Sequence, residues 1–395
     1  MKKKKLEDAS VFEYKMKRYK QRRAIIIVLV CIAVLAFGFY FVNKLLVKNY
    51  NSFEIVNSKE REDSNTVQYI SYDHKLIKYS RDGISALSAN GKSLWNASYD
   101  IKNPKVVVCE KYVAVADIGG KQAYTYNSKG TAYQLTTTLP IIDVSVSHQG
   151  VICVTLEGED YNHIQYYDSN TGKNLVDKKT FVQTNGYPVD IGIATDARKM
   201  VCSYVRIENG VLESDIAFYN YTNVGDNFEE HFVGGVKDQQ SVVHDVVFLN
   251  KNAVLLCSDK GFKLYEMLEI PYETLTKTFD EEMDSMFYTD KYFGFIIRSS
   301  GSEDVKQLLL YNLKGKCILK KDITFDYTTV QMSGEDIIFN TETEIRIMKI
   351  DGQLKFNYSL ETPILSIMPC NDKDEYILIN DQSIDHIKLV EEKKK

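Results

Sequence analysis

The sequence of 395 residues contains few of the motifs by which enzymes are recognised. There is no G-x-S-x-G nucleophile elbow, no G-x-x-x-x-G-K-[ST] phosphate loop and no G-x-G-x-x-G dinucleotide motif. There is also no H-E-x-x-H and no C-x-x-C, and the six histidines are scattered rather than grouped at zinc-binding spacing. These absences predict no catalytic residue, no metal ligand and no cofactor.

Basic residues are concentrated at the N-terminus and are outnumbered elsewhere. Residues 1–23 hold ten Lys/Arg and three Asp/Glu, a charge of +7. The rest of the chain therefore carries −12, the difference between the net charge of −5 and this +7. An acidic body argues against a nucleic-acid partner, because binding nucleic acid requires a basic face.

One long apolar run is present near the N-terminus. Residues Ala24–Val42 include no charged and no strongly polar side chain. At about 1.5 Å per residue, the run nearly spans the roughly 30 Å hydrocarbon core of a bilayer. It predicts a transmembrane signal-anchor helix, so the lipid bilayer is one predicted partner. A cleaved signal peptide is the alternative, since Ala36 and Gly38 could mimic a cleavage site.

The charges that flank the apolar run predict its orientation. Ten basic residues precede it, whereas only Lys44 and Lys48 follow it closely. The positive-inside rule therefore predicts a single-pass protein of the cell membrane, with residues 1–23 as a basic cytoplasmic tail and the remainder outside.

Beyond residue 53 the sequence is a series of short runs rich in Val, Ile, Tyr and Phe, separated by Gly, Asn and Asp. This pattern is typical of strands joined by hairpins. The runs recur as a unit whose glycine repeats at intervals near 40 residues, at Gly91, Gly130, Gly172, Gly315 and Gly352. Four strands in about 40 residues are typical of a β-propeller blade. The sequence therefore predicts an all-β fold, a propeller of about eight four-stranded blades.

The predicted blades cover nearly the whole chain after the linker. They are 67–100, 104–138, 141–181, 188–233, 242–280, 283–323, 327–360 and 364–390. Seven blades are the alternative, if two units merge. The last unit has only three strands, and Phe53–Val56 with Asn57 could supply the fourth and so close the ring. The predicted organisation is a tail (1–23), a membrane helix (24–42), a linker (43–52), a propeller ectodomain (53–390) and a charged tail (391–395).

The segment "YNLKGKCIL" (311–319) has two interpretations when it is taken alone. Its glycine could let the backbone approach a ligand, or it could mark a turn. The equivalent stretches "YNSKG", "YDSNTG" and "MKIDG" favour the turn. We expect a hairpin that joins the last two strands of a blade, with two central positions that need Asn, Asp or Gly to reach positive φ.

Several stretches resemble an uncharacterised family of membrane-anchored propellers from Gram-positive bacteria. They are "RDGISALSANGKSLWNASYDIKNP" (81–104), "VAVADIGGKQAYTYNSKG" (113–130), "NGYPVDIGIATDARKMVCSYV" (185–205) and "KGFKLYEM" (260–267). The resemblance implies a basic N-terminus, one membrane helix and a propeller, and it implies no activity. A looser similarity links the chain to quinoprotein-like, WD40-like and envelope scaffold propellers.

The cysteines and histidines are the remaining candidates for chemistry. Cys153, Cys202 and Cys257 fall in the second strands of three blades, too far apart for disulfides, so we expect buried free thiols. We expect the same of Cys109, Cys317 and Cys370, also in predicted strands, whereas Cys31 lies in the predicted membrane helix. His148 and His244 are near the first strands of their blades and could form a pair in the central channel. The loop containing Asp372 and Asp374 lacks the glycine and distal glutamate of an EF-hand.

Two blades contain segments that exceed the repeat, where repeat proteins tend to place binding function. They are 156–168 in the third blade, and 206–215 and 223–243 in the fourth, of which 223–243 is the longest irregular one. The favoured hypothesis is a binding or scaffold module of the cell envelope, without catalysis, whose partner is a protein, peptide or glycan. The alternative is an enzyme with its site in the central channel, either quinone-dependent or a hydrolase or lyase.

Overall fold

The computed structural model describes residues 23, 25–34, 37–38, 50–64, 66–299, 302–370 and 374–391. The chain forms two compact units, Met1–Tyr50 and Asn51–Lys395. In the first unit, residues 25–34 are helical and their side chains are exposed. Among the residues that the structure describes, no helix combines the length and the apolar character needed to cross a bilayer.

Several sequence predictions fall wholly or partly outside the described residues. The membrane helix predicted over 24–42 is described only at 25–34, 37 and 38, so it stays a prediction. The same holds for the tail 1–23, the linker 43–52, the C-terminal tail 391–395 and the loop residue Asp372.

Strand β1 (Ser52–Glu60) opens the second unit, and four blades follow it. Blade 1 consists of β2 (Gln68–Tyr72), β3 (Lys75–Tyr79), β4 (Gly83–Leu87) and β5 (Ser93–Ser98). Blade 2 consists of β6 (Pro104–Cys109), β7 (Tyr112–Asp117), β8 (Gln122–Tyr126) and β9 (Ala132–Thr136). Blade 3 consists of β10 (Ile141–Val146), β11 (Val151–Glu157), β12 (Tyr161–Asp168) and β13 (Asn174–Phe181). Blade 4 consists of β14 (Tyr187–Ile193), β15 (Lys199–Glu208), β16 (Val211–Asn220) and β17 (Phe232–Asp238).

Four further blades complete the ring. Blade 5 consists of β18 (Val243–Phe248), β19 (Ala253–Ser258), β20 (Gly261–Met267) and β21 (Pro271–Thr278). Blade 6 consists of β22 (Met283–Tyr288), β23 (Tyr292–Ser299), β24 (Ser302–Asn312) and β25 (Cys317–Ile323). Blade 7 consists of β26 (Thr329–Ser333), β27 (Asp336–Asn340), β28 (Glu344–Lys349) and β29 (Leu354–Ser359). Blade 8 consists of β30 (Ile364–Pro369), β31 (Glu375–Asn380) and β32 (Ser383–Val390), with β1 as its fourth strand. Outside the strands are a short helix (Val182–Asn185) and two 3-10 turns (Gly225–Asn227 and Glu229–His231).

These 32 strands, within the described residues, form eight antiparallel four-stranded sheets. In blades 1 to 7 the strands pair in sequence order. First strands of neighbouring blades are in contact, such as β6 with β10 and β14 with β18, and they surround the central channel. We call the side where strands 2 and 3 of a blade are connected, and where one blade leads to the next, the upper face. The lower face holds the connections between strands 1 and 2 and between strands 3 and 4. The prediction of an eight-bladed propeller is confirmed.

Ring closure also follows the prediction. Strand β1 pairs antiparallel with β32, from Ser52 opposite Val390 to Glu60 opposite Ser383. The hydroxyl of Ser58 donates a hydrogen bond to the Asp385 carboxylate at 2.5 Å. The pairing covers the edge that β32 would otherwise expose, so blade 8 has four strands like the others.

The core lies between the blades. Because each blade packs both faces against neighbours, its second strand is buried on both sides and is a continuous apolar run. Strand β11 is buried from Val151 to Leu156, with side chains that alternate between the blade 2 and the blade 4 interface. In the outermost strands, apolar residues occupy only alternate or isolated positions. This pattern is expected where one side of a strand faces solvent.

The recurring hairpin differs in detail from the prediction. At Asn312–Lys316, only Gly315 has positive φ, at 74°. The N–H of Gly315 donates to the carbonyl of Asn312 (2.9 Å), and the Asn312 side chain accepts from the N–H groups of Lys314 and Lys316. This is a type I turn followed by a left-handed glycine, so the expectation of two central residues with positive φ is wrong.

The segments predicted to exceed the repeat are more regular than expected. Residues 156–168 are mostly strand β12 and its short turn, and 206–215 form the tip of the hairpin β15–β16. The prediction of an irregular segment at 223–243 is wrong in part, because Phe232–Asp238 is the outer strand of blade 4. Blade 4 therefore ends at 238 rather than 233. The glycine pair Gly234–Gly235 obscured this strand, because glycine is depleted in strands.

Candidate functional site

The central channel contains a group of charged side chains on consecutive first strands. Lys105, Asp143, Asp190 and Asp245 are in β6, β10, β14 and β18, and we call them the channel cluster. The three strands that carry an aspartate each have a bulge directly before it. Because a bulge shifts the alternation of side chains, the same deviation in each blade gives the three carboxylates equivalent positions.

Each of two channel carboxylates accepts a hydrogen bond from a neighbouring blade. The ammonium of Lys105 donates to Asp143 at 2.5 Å, and the N–H of Val246 donates to Asp190 at 2.7 Å. Burial opposes the charge of Lys105, but the Asp143 carboxylate outweighs it, so the pKa of Lys105 is raised. Burial raises the pKa of Asp190 to about 7, and the carboxylates of Asp143 and Asp245 add to this despite the Val246 hydrogen bond. The channel cluster therefore joins neighbouring blades, and its Asp190 binds a proton near neutral pH.

The predicted pair of channel histidines does not form. His244, in β18 near the upper face, contacts the Asp245 carboxylate at 2.6 Å, and this hydrogen bond raises the pKa of His244. His148 follows the end of β10, on the lower face, where its N–H donates to the Thr195 carbonyl. Among the described residues, no group of three or more His, Cys, Asp or Glu side chains is arranged to hold a metal ion.

Sequence reasoning considered the histidines and missed the aspartates. The signal was present as a repeated motif at the start of a blade, in "IIDV", "PVDI" and "VHDV". A charged residue between apolar residues of an innermost strand is unusual enough to be noticed once blade boundaries are known.

The cysteines behave as small core residues in three of six cases within the propeller. Cys153, Cys202 and Cys257 are free and buried as predicted, and Cys109 in β6 is free and partly buried. Burial raises the pKa of the Cys153 and Cys257 thiols well above the usual range, which makes them poor nucleophiles. Cys317 is exposed and Cys370 lies just beyond β30, so the expectation of a buried strand position is wrong for both.

Strands β15 and β16 of blade 4 form an extended hairpin on the upper face. Strands β15 and β16 have ten residues each, and residues 206–213 extend beyond the pairing with β14 and β17. Three apolar side chains at this tip are exposed: Ile207 (74%), Val211 (53%) and Leu212 (45%). Isolated exposed apolar residues are normal, but an extended hairpin with an apolar tip is typical of a contact surface.

Further exposed apolar side chains surround the hairpin. Val182 lines a groove together with Val205, Ile207 and Leu212, and Tyr187 pairs with Val205. We define the hairpin patch as the exposed apolar residues Val182, Tyr187, Ile207, Val211 and Leu212.

The border of the hairpin patch is acidic. Arg206 faces the carboxylates of Glu208, Asp215 (3.2 Å) and Glu213 (3.8 Å). Three carboxylates around one guanidinium leave a net negative charge. On the adjacent edge, the Tyr187 hydroxyl donates to Glu157 at 2.9 Å.

Comparisons with known proteins agree with the fold. Residues 46–389 match the model of a family of unknown function, DUF5711. No curated protein sequence matches the chain. Among solved structures, the chain is similar to BamB from Moraxella catarrhalis, with 11% identity, a TM-score of 0.50, and coverage of 87% of this chain and 100% of that one.

Two further solved structures have the same degree of likeness. A eukaryotic initiation factor has 11% identity and a TM-score of 0.54, with 85% of this chain and 87% of that chain covered. The Dos1 propeller has 9% identity and a TM-score of 0.53, with 87% and 96% covered. At such identities these similarities establish the propeller fold alone.

Proposed function

The chain belongs to the family of unknown function DUF5711, and we propose that its propeller is a protein-binding module rather than an enzyme. The observation that carries the proposal is the hairpin patch on the upper face of blade 4. Ile207, Val211 and Leu212 project from a hairpin that neither neighbouring strand of the blade covers. An exposed apolar group with a polar border has the composition of a protein interface.

The proposed partner presents an apolar segment flanked by Lys or Arg. Apolar side chains would cover Ile207 and Leu212, which oppose each other across the hairpin. The basic residues would meet the carboxylates of Glu208, Glu213 and Asp215, which Arg206 offsets in part. The charge of −12 outside residues 1–23 would favour the same partner during encounter.

The proposal includes a location outside the cell membrane, with the anchor at 24–42. Its support is the uncharged run Ala24–Val42 and the ten basic residues before it. Alkaline phosphatase fused after residue 391 tests the topology, because it is active only when exported. We expect activity from the fusion to the full chain, and an inactive fusion with normal expression would contradict the topology.

Photocrosslinking tests the docking surface. A photoreactive amino acid replaces Ile207 in the full chain, and Leu354 at the start of β29 in blade 7 is the control, since it is also exposed. We expect a crosslinked partner from position 207, none from 354, and loss of the crosslink when Leu212→Glu is added. Equal crosslinking from both positions, or a partner segment without basic residues, would contradict the proposed surface.

An enzyme in the central channel is the less supported alternative. The channel cluster is the observation in its favour, because Asp190 holds a proton near neutral pH. Against it, Asp143 and Asp190 accept hydrogen bonds that join neighbouring blades, and His148 is on the lower face. The charged groups of the channel therefore have a structural role that requires no reaction.

A further inference from the structure

Buried polar groups without hydrogen bonds are unevenly distributed in the propeller. Of fourteen such side-chain atoms in the described residues, eleven belong to blades 3 and 4. Leaving a buried polar atom without a hydrogen bond costs about 1–3 kcal/mol, so such groups are normally rare and dispersed. Two of the eleven, the Tyr204 hydroxyl and Oδ1 of Asp215, lie in the lining of a single cavity, whereas Arg206, Glu213 and His231 face ion-pair partners.

A cavity of about 690 Å³ lies along the outer part of blade 4, where Lys178 of blade 3 faces it. This volume falls within the roughly 300–1,000 Å³ of small-molecule sites. Three rows of residues across β15, β16 and β17 explain its shape. They are Tyr204–Asp215–Lys237, Cys202–Ala217–Gly235 and Met200–Tyr219–Phe232.

Each row contributes differently to the cavity. The first row is polar, and all three of its members line the wall. The second row is small, so Ala217 leaves space above the sheet, whereas the ring of Phe232 lies over Gly235, 3.0 Å from the position of a Cβ there. The third row places Tyr219 and Phe232 at the other end of the cavity, and Phe232 is 44% exposed. The cavity therefore has hydrogen-bonding groups at one end and an accessible aromatic ring at the other.

Two polar groups of the first row have unused capacity. Tyr204 is only 2% exposed, and its hydroxyl packs against the Cys202 thiol and the Tyr219 hydroxyl without a well-directed hydrogen bond to either. Asp215 directs Oδ2 toward the Arg206 guanidinium at 3.2 Å, whereas its buried Oδ1 makes no hydrogen bond with a described residue.

The lining of the cavity contains three carboxylates and two ammonium groups, so its charges nearly cancel. Asp215 faces Arg206, and Lys178 pairs with Glu230 at 2.6 Å. The remaining charged residues of the lining, Lys237 and Glu229, have opposite signs. An ion would therefore gain little here, whereas a neutral ligand that both donates and accepts hydrogen bonds suits the lining.

We propose that this cavity binds a neutral sugar residue. A sugar ring has an apolar C–H face, which would lie on Phe232, and hydroxyl groups that would reach Tyr204 and Asp215. Ala217 provides the space that the sugar ring occupies. The cavity and the acidic border of the hairpin patch share Asp215, but the two ligands differ in kind and neither proposal requires the other.

Saturation-transfer NMR on the full chain, in a detergent without a sugar head group, tests the proposal. The probes are N-acetylglucosamine and methyl β-glucoside, with glycine and methyl phosphate as charged comparisons. We expect at least one of the two sugars to bind and neither charged probe to do so.

Three variants tie the binding to the cavity. Tyr204→Phe removes one hydroxyl and should weaken sugar binding about three- to tenfold, the value of one neutral hydrogen bond. Ala217→Leu fills the cavity and should abolish binding. Tyr99→Phe, which removes another buried hydroxyl without a hydrogen bond, should leave binding unchanged. Thermal unfolding checks that each variant is folded.

The proposal is overturned by any of three results. They are the absence of binding by both sugars, unchanged binding by a folded Ala217→Leu variant, and stronger binding of glycine or methyl phosphate than of either sugar.

Discussion

Gly130 of blade 2 packs against the ring of Trp95 in blade 1. A Cβ on Gly130 would lie 2.6 Å from Cγ of Trp95, closer than any real contact. The same relation recurs around the ring, because Gly315 lies against Leu275 and Gly352 against Leu319, each in the outer strand of the preceding blade. The glycine therefore serves both the turn and the packing of neighbouring blades.

Gly130→Ala should destabilise the propeller more than a left-handed backbone alone explains. The left-handed conformation at φ 77° costs an L-residue about 1–2 kcal/mol. The contact with Trp95 should add about 1–3 kcal/mol, as overpacking does elsewhere. Urea unfolding of the full chain measures the sum of the backbone cost and the packing cost.

Gly119→Ala is the matched control for that substitution. Gly119 also has positive φ, at 83°, but nothing lies within 4 Å of the position of its Cβ. It should show the backbone cost alone. Equal destabilisation by the two substitutions would contradict the packing role.

Asp190→Asn should change the dependence of stability on pH. Burial raises the pKa of Asp190 from 3.8 to about 7, so the folded protein binds a proton more tightly than the unfolded chain. This group therefore destabilises the fold increasingly as pH rises from about 4 to 7, and fully above 7. The amide has no charge to bury, and its oxygen can still accept from Val246.

The Asp190→Asn variant should be more stable than the parent at pH 8 by about 1–3 kcal/mol, and nearly equal to it at pH 4. Urea unfolding at pH 4, 6 and 8 measures the difference. Asp100→Asn, at an exposed position, should show no such trend. A constant difference across pH would rule out proton binding at Asp190 as the cause.

Removal of β1 should open the ring. A chain that starts at residue 50 retains β1, whereas a chain that starts at 61 lacks the strand that pairs with Ser383–Val390. At about 0.5–1.5 kcal/mol per hydrogen bond, the loss should be on the order of 4 kcal/mol or more. The exposed edge of β32 should also cause self-association.

Thermal unfolding and gel filtration compare the two truncated chains. The longer one should elute as a single species with a higher melting temperature. Indistinguishable behaviour would mean that β1 does not hold the ring closed.

Lys355→Met should weaken the contact between blades 7 and 8. The Lys355 ammonium is buried and donates to Asp336 (2.6 Å) and the Tyr376 hydroxyl (2.9 Å), and it pairs with Asp374 at 2.8 Å. Its removal leaves two carboxylates facing each other, so we expect a loss of about 2–4 kcal/mol. The double variant Lys355→Met/Asp336→Asn should recover part of this loss.

Lys75→Met provides the comparison for a surface pair. Lys75 contacts Asp73 at 3.0 Å, and both side chains are about one-third exposed. We expect a change below about 0.5 kcal/mol, because such pairs are screened by water. Urea unfolding measures all three proteins, and similar losses for Lys75→Met and Lys355→Met would contradict the role of burial.

The blade count and the closure of the ring were predictable because both depend on local pattern. Gly91, Gly130 and Gly172 each supply the left-handed residue of a turn. Because this turn returns from blade to blade, the glycine recurs in the sequence at a nearly fixed interval. The final unit had only three predicted strands, and one extra strand followed the linker. The pairing of the two could be predicted because an open sheet edge is unfavourable.

The sites were less predictable because they depend on residues far apart in sequence. Asp143, Asp190 and Asp245 belong together only once three blades are placed side by side. The cavity at Tyr204 and Ala217 depends on which face of β15 and β16 points to blade 3, and this follows from the register. The strand Phe232–Asp238 was hidden by two glycines, one of which, Gly235, lies in the lining of that cavity.

The pairing of β1 with β32 also determines how the propeller would respond to mechanical force. If the N-terminus is held by an anchor, a pull on the domain reaches it first through β1. The strand would be drawn along its length, so that hydrogen bonds from Ser52 to Glu60 share the load instead of breaking one after another. Its side chains, such as Ser58 on Asp385, would resist the same displacement. The strand that completes the ring would then also be the tether of the domain, and the ring could not form until the last strand of the chain had emerged.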